Sequence, residues 1–336
     1  MKFRVLVIAL LIYGCSKKPP EYEKLSGFTQ GGTYHTVFEN KRKTRPEKVS
    51  QDVKKILNDI DMSLSVYNDS SVISRLNRNE KIAPDYYFKE VFMKSKEISQ
   101  ITGGAFDITV GPLVRAWGFG PDNHKYFDRS KLDSLMRLVG FSKVNLVDGN
   151  LVKSDPGITL DVNAIAQGFT VDVICRYFDK IGIKSYLVEV GGEVRVKGRK
   201  GTEMWKIGID KPVDSNNVSG NNLQAIVKLE DEALATSGNY RKFYIEDGVK
   251  YSHIIDPKTG YPARNKLLSA SIFAHDCATA DGIATACMVM GLEKSIDFIS
   301  SDHDYEAFLV YSDDHGNLLT WISEKLKNNL SEEALN

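Results

Sequence analysis

Asp281 and Thr285 stand four residues apart in the run Ala278–Met290, so on a helix they share one face and set a carboxylate beside a hydroxyl. Both are hard oxygen ligands. Completed by a backbone carbonyl and phosphate oxygens, such a pair suits Mg2+, which seldom uses an all-protein cage; a simple hydrogen bond on a solvated helix face is the alternative. His253 lies in the strand-ending run Tyr251 to Ile255, ahead of the turn Asp256-Pro257-Lys258-Thr259-Gly260. An imidazole there can serve as a base near neutral pH, or merely bond a neighbouring carbonyl. Polar residues, glycines and aromatics gather in further clusters: Gly31 to Tyr34, Ser65 to Asn68, Gly104 to Asp107 with Trp117 to Gly120, Asp161 to Gly168, Glu189 to Glu193, and Ala235 to Tyr240. Singly, each is also explained by turns, core and helix caps.

Helices and hairpins must hold these clusters. Val49, Val53, Ile56, Ile60 and Leu64 recur at helical spacing, as do Phe88, Val91, Phe92, Ser95 and Ile98 before Gly103-Gly104. A third helix is expected over 130–139, and a fourth over 164–180, ended by Gly182. Ser185–Val190 and Val194–Lys197 flank Gly191-Gly192 as a hairpin, and Trp205–Ile209, Leu223–Leu229, Arg241–Ile245 and Lys250–Ile255 are strand candidates, the last two joined by Glu246-Asp247-Gly248. Helices after Ala278 and Leu292 precede a closing hairpin around Asp313 to Gly316. Hairpins outnumber strand-helix-strand units, which predicts an α+β fold: one catalytic body with a mostly antiparallel sheet flanked by helices.

The 336 residues, 42% hydrophobic and 26% charged, exclude disorder and a disulfide-stapled miniprotein. Lys plus Arg (44) equals Asp plus Glu (44), so no global field recommends nucleic acid as a partner. Lys2 and Arg4, the apolar run Val5–Tyr13, then Gly14-Cys15 have the layout of a secretory leader too short to span a bilayer. Ile12-Tyr13-Gly14-Cys15 resembles a bacterial lipobox, whose cysteine is acylated, although an ordinary cleaved leader has the same outline. The expected division is a signal peptide over 1–14, a lipidated tether over 15–24, the body over 25–323 and a polar tail over 324–336, with the chain lipid-anchored in a bacterial cell envelope and facing the periplasm. Cys175, Cys277 and Cys287 form no CxxC pair, and the last two are free thiols or a bridge.

Taken in order, the segments Gly32-Thr33-Tyr34, Ser65 to Asn68, Phe106 to Leu113, Trp117 to Gly120, Leu160 to Gly168, Gly191 to Arg195, Ala235 to Tyr240, Tyr251 to Pro262 and Ala280 to Ala286 resemble the ApbE family of FAD:protein FMN transferases. The resemblance implies Mg2+-dependent cleavage of FAD between its phosphates and transfer of FMN to a Thr or Ser hydroxyl of a target protein, an exported or membrane redox subunit, with release of AMP. An FAD pyrophosphatase giving FMN and AMP, and a non-catalytic flavin-binding lipoprotein, are the competing functions. By the same resemblance Asp281, Thr285 and the carbonyl of Ala166 hold Mg2+, His253 is the base, and Asp256 orients it. FAD is then expected against Thr33, Tyr34, Ser65 and Tyr67; against Asp107, Trp117, Gly118 and Phe119; against Asp161, Ala164 and Gln167; and against Gly191, Gly192, Glu193, Ser237, Gly238, Tyr240 and His253. Gln167 stands where many relatives have lysine, and Glu193 where they have aspartate. Arg195 or Lys197 is expected to replace the missing positive charge.

Overall fold

Eight strands, every neighbouring pair antiparallel, form one sheet whose strand order is the chain order: β1 (Tyr22–Thr29), β2 (Gly32–Glu39), β3 (Tyr186–Val190), β4 (Glu193–Lys197), β5 (Ala233–Gly238), β6 (Leu267–Ala274), β7 (Glu306–Ser312) and β8 (Leu318–Ile322). This is seen in a computed structural model that describes residues 21–41, 44–120, 127–213, 220–240, 243–246, 248–301 and 304–331. The leader 1–14, the first six tether residues with Cys15 among them, Arg241, Asp247 and residues 332–336 of the tail lie outside the described residues. No helix among those described is long and apolar enough to cross a membrane. The α+β expectation holds.

Five helices matter to the site: α1 (Pro46–Leu64), α2 (Tyr86–Ile101), α3 (Asn163–Lys180), α4 (Cys277–Met290) and α5 (Leu292–Ser301). Period-2 alternation divides the sheet. Tyr34, Phe38, Tyr186, Val188 and Val190 bury one face against Ile174 and Phe178 of α3 and Val49 and Val53 of α1. On the other face Val194, Val196, Phe273 and Phe308 meet the hairpin of Trp205–Asp210 and Leu223–Leu229. Asp276 caps α4, accepting from the Thr279 amide (2.9 Å) and hydroxyl (2.9 Å). Buried nearly all round, α4 behaves as a core helix, which its apolar composition on every face requires.

Three boundaries move. β1 starts at Tyr22, inside the stretch expected as tether, because its eight residues pair fully with β2. The helix expected over 130–139 is a 3-10 turn (Arg129–Lys131) and a short helix (Leu132–Met136), since Asp128 closes the first turn through Ser130 and Gly140 reverses the chain soon after. The tail returns: Leu326 is buried and the Ser331 amide donates to the Ile226 carbonyl at 2.8 Å.

At Gly168, α3 and α4 approach each other closely. A Cβ there would lie 2.4 Å from the Cys277 carbonyl oxygen and 2.8 Å from Asp281 Cβ, both parts of the facing helix. Gly168→Ala should therefore cost about 1–3 kcal/mol, the usual range for overpacking, seen as a lower midpoint in denaturant titration.

At the opposite end of β5, burial and then the Glu306 carboxylate push the Glu232 carboxyl up to about 7 from an ordinary 4.5. The folded chain thus keeps a proton that the unfolded chain loses between those values, so this group's contribution to stability falls as pH rises from about 4.5 to 7 and levels above. Glu232→Gln should flatten that slope: thermal scans at pH 5 and pH 8 should differ less for the variant than for the parent chain.

Candidate active site

The register brings two turns to one end of the sheet. Gln30-Gly31 joins β1 to β2 and Gly191-Gly192 joins β3 to β4, while Tyr34 pairs with Val190 between them. β5 reaches the same end, since Leu234 pairs with Val194 and the strand continues to Gly238. The first turns of α3 press on both hairpins. Gln30 Nε2 donates to Thr170 Oγ1 at 2.7 Å, and Gln167 Nε2 approaches the Gln30 carbonyl at 3.5 Å. Gly191 and Gly192 take φ of 65° and 110°, as a two-residue hairpin with right-handed strand twist demands, and a Cβ on Gly191 would fall 2.2 Å from Gln167 Nε2. An open hollow of about 410 Å³ runs along Phe28 to Thr33.

At the heart of this end, α3, α4 and β5 converge. The Gly168 amide donates to Asp281 Oδ2 at 3.0 Å, Thr285 Oγ1 and Ser237 Oγ are 3.0 Å apart, and the Ala166 carbonyl accepts from Thr170 Oγ1 at 2.7 Å. Asp281 is 6% exposed. Burial pushes its carboxyl up to about 7, the Gly168 amide opposes that, and the Asp172 charge adds to it. A divalent cation fits the donors present: a buried carboxylate in want of counter-charge, a hydroxyl and a carbonyl, all hard oxygens. The three ligands expected from the sequence are thus carried by two touching helices.

A second lobe carries the histidine. His253 follows the strand pair Phe243–Glu246 and Val249–Ser252 and meets the Phe119 ring edge-on at 6.3 Å between centroids. Phe119 and Gly118 are partly open. Trp117, expected against FAD, has its ring packed inside the lobe. It is 1% exposed, stacked on Phe127 (4.3 Å) and Tyr251 (5.5 Å), and its Nε1 donates to the Gly260 carbonyl at 2.8 Å, so its ring is core that ties the lobe together. Asp256 Oδ1 accepts from the Lys258 amide (2.8 Å) and Oδ2 from Thr259 Oγ1 (3.1 Å), which makes it the staple of its own turn.

The other expected flavin contacts divide between the open end and the scaffold. Tyr67 is 59% exposed and bonds Asn163 at the start of α3, beside Asp161, whose Oδ1 accepts from the Asn163 amide at 2.9 Å; Ala164 is partly open next to them. Thr33 is exposed, whereas Tyr34, Glu193 and Tyr240 are buried. Ser65 acts through its carbonyl, which accepts from Ser71 Oγ (2.7 Å) and Ser74 Oγ (3.2 Å). Asp107 is structural: it accepts from the amide (2.8 Å) and hydroxyl (2.6 Å) of Thr109 and from the Phe141 amide (2.9 Å).

Neither expected replacement charge is available. Arg195 Nη1 sits 2.6 Å from Asp172 Oδ1 and Lys197 Nζ 2.7 Å from Asp179 Oδ1. Asp172 itself was not singled out by sequence reasoning. From α3 it accepts from the Cys277 (3.1 Å) and Ala278 (2.9 Å) amides, holding the first turn of α4 and hence Asp281 and Thr285. An acidic residue amid the apolar Val171 and Val173 was the signal. Asn77, which the sequence sets near the Ser65 to Asn68 cluster, bonds through its side chain both the carbonyl (2.9 Å) and the amide (2.8 Å) of Leu160, fixing the approach to α3. Cys277 and Cys287 are free thiols, as they must be at ten residues, about 15 Å, apart along one helix.

The family model described as the ApbE family matches residues 31–309. An FAD:protein FMN transferase of Vibrio cholerae is 36% identical over 317 residues, covering 92% of this chain and 93% of that protein. Another, of Escherichia coli, is 30% identical over 348 residues, covering 98% and 97%. Among solved structures, flavin transferase ApbE from Vibrio cholerae superposes with a TM-score of 0.83 at 33% identity, covering 93% of this chain and 100% of that one. The apo form of Pseudomonas stutzeri flavinyl transferase ApbE gives 0.82 at 29% identity, covering 92% and 97%.

Removing one partner of a buried ion pair leaves the other charge uncompensated, which costs about 3–5 kcal/mol. Asp172→Ala should destabilise the chain on that scale, and adding Arg195→Met should recover part of the loss; a double-mutant cycle in denaturant measures both.

Proposed function

Because the chain belongs to the ApbE family, we infer that it is an FAD:protein FMN transferase, which moves FMN from FAD onto another protein. The observation that carries the finer reading is the contact of the Gly168 amide with Asp281, which sets Asp281 and Thr285 of α4 against the turn of α3 that carries Ala166. We propose that these three oxygens hold Mg2+. When bound, the cation supplies positive charge against the phosphates of FAD as negative charge develops on them.

The remaining work falls to side chains of this sequence. The acceptor is a Thr or Ser hydroxyl, whose oxygen bonds to the phosphorus of the FMN half as the bridging bond to AMP breaks, and the hydroxyl proton passes to the imidazole of His253. Phe119 holds that ring from one side, and the Asp256 turn fixes the segment that carries it. Tyr67 and Phe119 offer the accessible aromatic surface for the flavin or adenine ring. Trp117 stiffens the lobe from within.

The lipobox-like leader supports an address as well. We propose that Cys15 carries the lipid and that the enzyme faces the periplasm from a membrane of the bacterial envelope, where its acceptors are exported or membrane redox subunits. More than one acyl chain anchors stably, at about 0.8 kcal/mol per buried methylene. Mass spectrometry of the N-terminal peptide reads this directly; an unmodified Cys15 sinks the anchor.

Purified chain incubated with FAD, Mg2+ and a threonine-bearing acceptor protein should give a fluorescent acceptor heavier by one FMN phosphoryl adduct, with AMP released in equal amount. An acceptor that stays unlabelled while FAD is bound overturns the transfer reading, and AMP released without acceptor identifies hydrolysis instead. Asp281→Asn should lower transfer by about two orders of magnitude or more and abolish its response to added Mg2+. His253→Ala should lose transfer while keeping FAD affinity within a few-fold.

A further inference from the structure

A hydrogen-bonded chain outside the groups discussed so far ends on the diglycine turn. His35, exposed on β2, donates from Nδ1 to Glu189 Oε2 at 2.7 Å, and Glu189 Oε1 accepts from the Gly192 amide at 2.8 Å. His35 and Glu189 are paired across β2 and β3, so the side chains meet on one sheet face, the face away from α3. The other amide of the turn is also committed, since Gly191 donates to the Thr33 carbonyl at 2.9 Å. On its far side the turn abuts Gln167, whose sequence neighbours are Ala166 and Gly168 at the α3–α4 junction.

We propose that Glu189, oriented by His35, is a positioning residue that sets the Gly191-Gly192 turn against FAD. This rests on the transferase reading and deepens it. With both amides donating inward, the turn offers no N–H group to charge that develops during the reaction. What it offers is shape: Gly191, without a side chain, leaves the space that Gln167 fills, so the turn fixes where Gln167 and the hairpin backbone meet a ligand. Loosening the turn therefore weakens how FAD is held in the ground state and the transition state alike, a change in KM and not in kcat. A charge-assisted hydrogen bond to a turn amide is strong enough for its loss to be measurable.

Glu189→Ala should raise the KM for FAD about tenfold with kcat within about twofold. Glu189→Gln, which still offers an oxygen to the Gly192 amide, should stay within about threefold of the parent in both. His35→Ala should fall between them. An unchanged KM for Glu189→Ala, or a loss confined to kcat, overturns the proposal. The FAD dissociation constant, read by flavin fluorescence on the full chain without acceptor, should move with KM. That measurement keeps the two readings apart: a parent chain that binds FAD but transfers nothing sinks the transferase function, whereas equal affinities of parent and Glu189→Ala sink the positioning role. Because Glu189→Gln and His35→Ala preserve strand pairing, they carry the test should Glu189→Ala fold poorly.

Discussion

Two helices touch where one of them has no side chain, and the rest of the site hangs on that contact. Gly168 lets α3 lie against the backbone of α4 closely enough for its amide to reach Asp281. That contact sets Asp281 of α4 against the stretch of α3 that carries Ala166, and Gln167, next along α3, falls into the slot left by Gly191. The diglycine turn, the helix crossing and the oxygen cluster are one mechanical unit. A methyl group at position 168 would disturb all three.

That unit carries an uneven charge inside a chain whose totals balance. Asp281 and Asp172 are both buried, both held up by desolvation, and only Asp172 has an arginine. The arrangement explains why Arg195 cannot stand in for a lysine at position 167: it neutralises the carboxylate that grips the start of α4. The oxygen-only donor set beside it is of the kind that suits a divalent cation.

Much of this was legible in the sequence because its signals are periodic. Asp281 and Thr285 at helical spacing, the diglycine between two β-rich runs, and the helix ended by Gly182 all correspond to elements of the fold. Ala233–Gly238 and Leu267–Ala274 were not, although both are interior strands of the sheet. Strands covered on both faces need no polar alternation, and small residues such as Ala and Ser carry little β signal, so these two resemble loops in composition. Trp117 illustrates the converse. An aromatic beside glycines has the composition of a binding site, and nothing local reports that Phe127 and Tyr251, distant in sequence, close over it.

Cys175, Cys277 and Cys287 are each buried and unpaired, with Cys277 held well above its ordinary value and Cys287 pushed up to about 12 by burial. Thiolate is the form that oxidants and disulfides attack, and here almost none exists. These three thiols are consequently indifferent to redox poise: they need no oxidative pairing to fold, offer almost no thiolate to an oxidant, and would stay free in an oxidising compartment as in a reducing one.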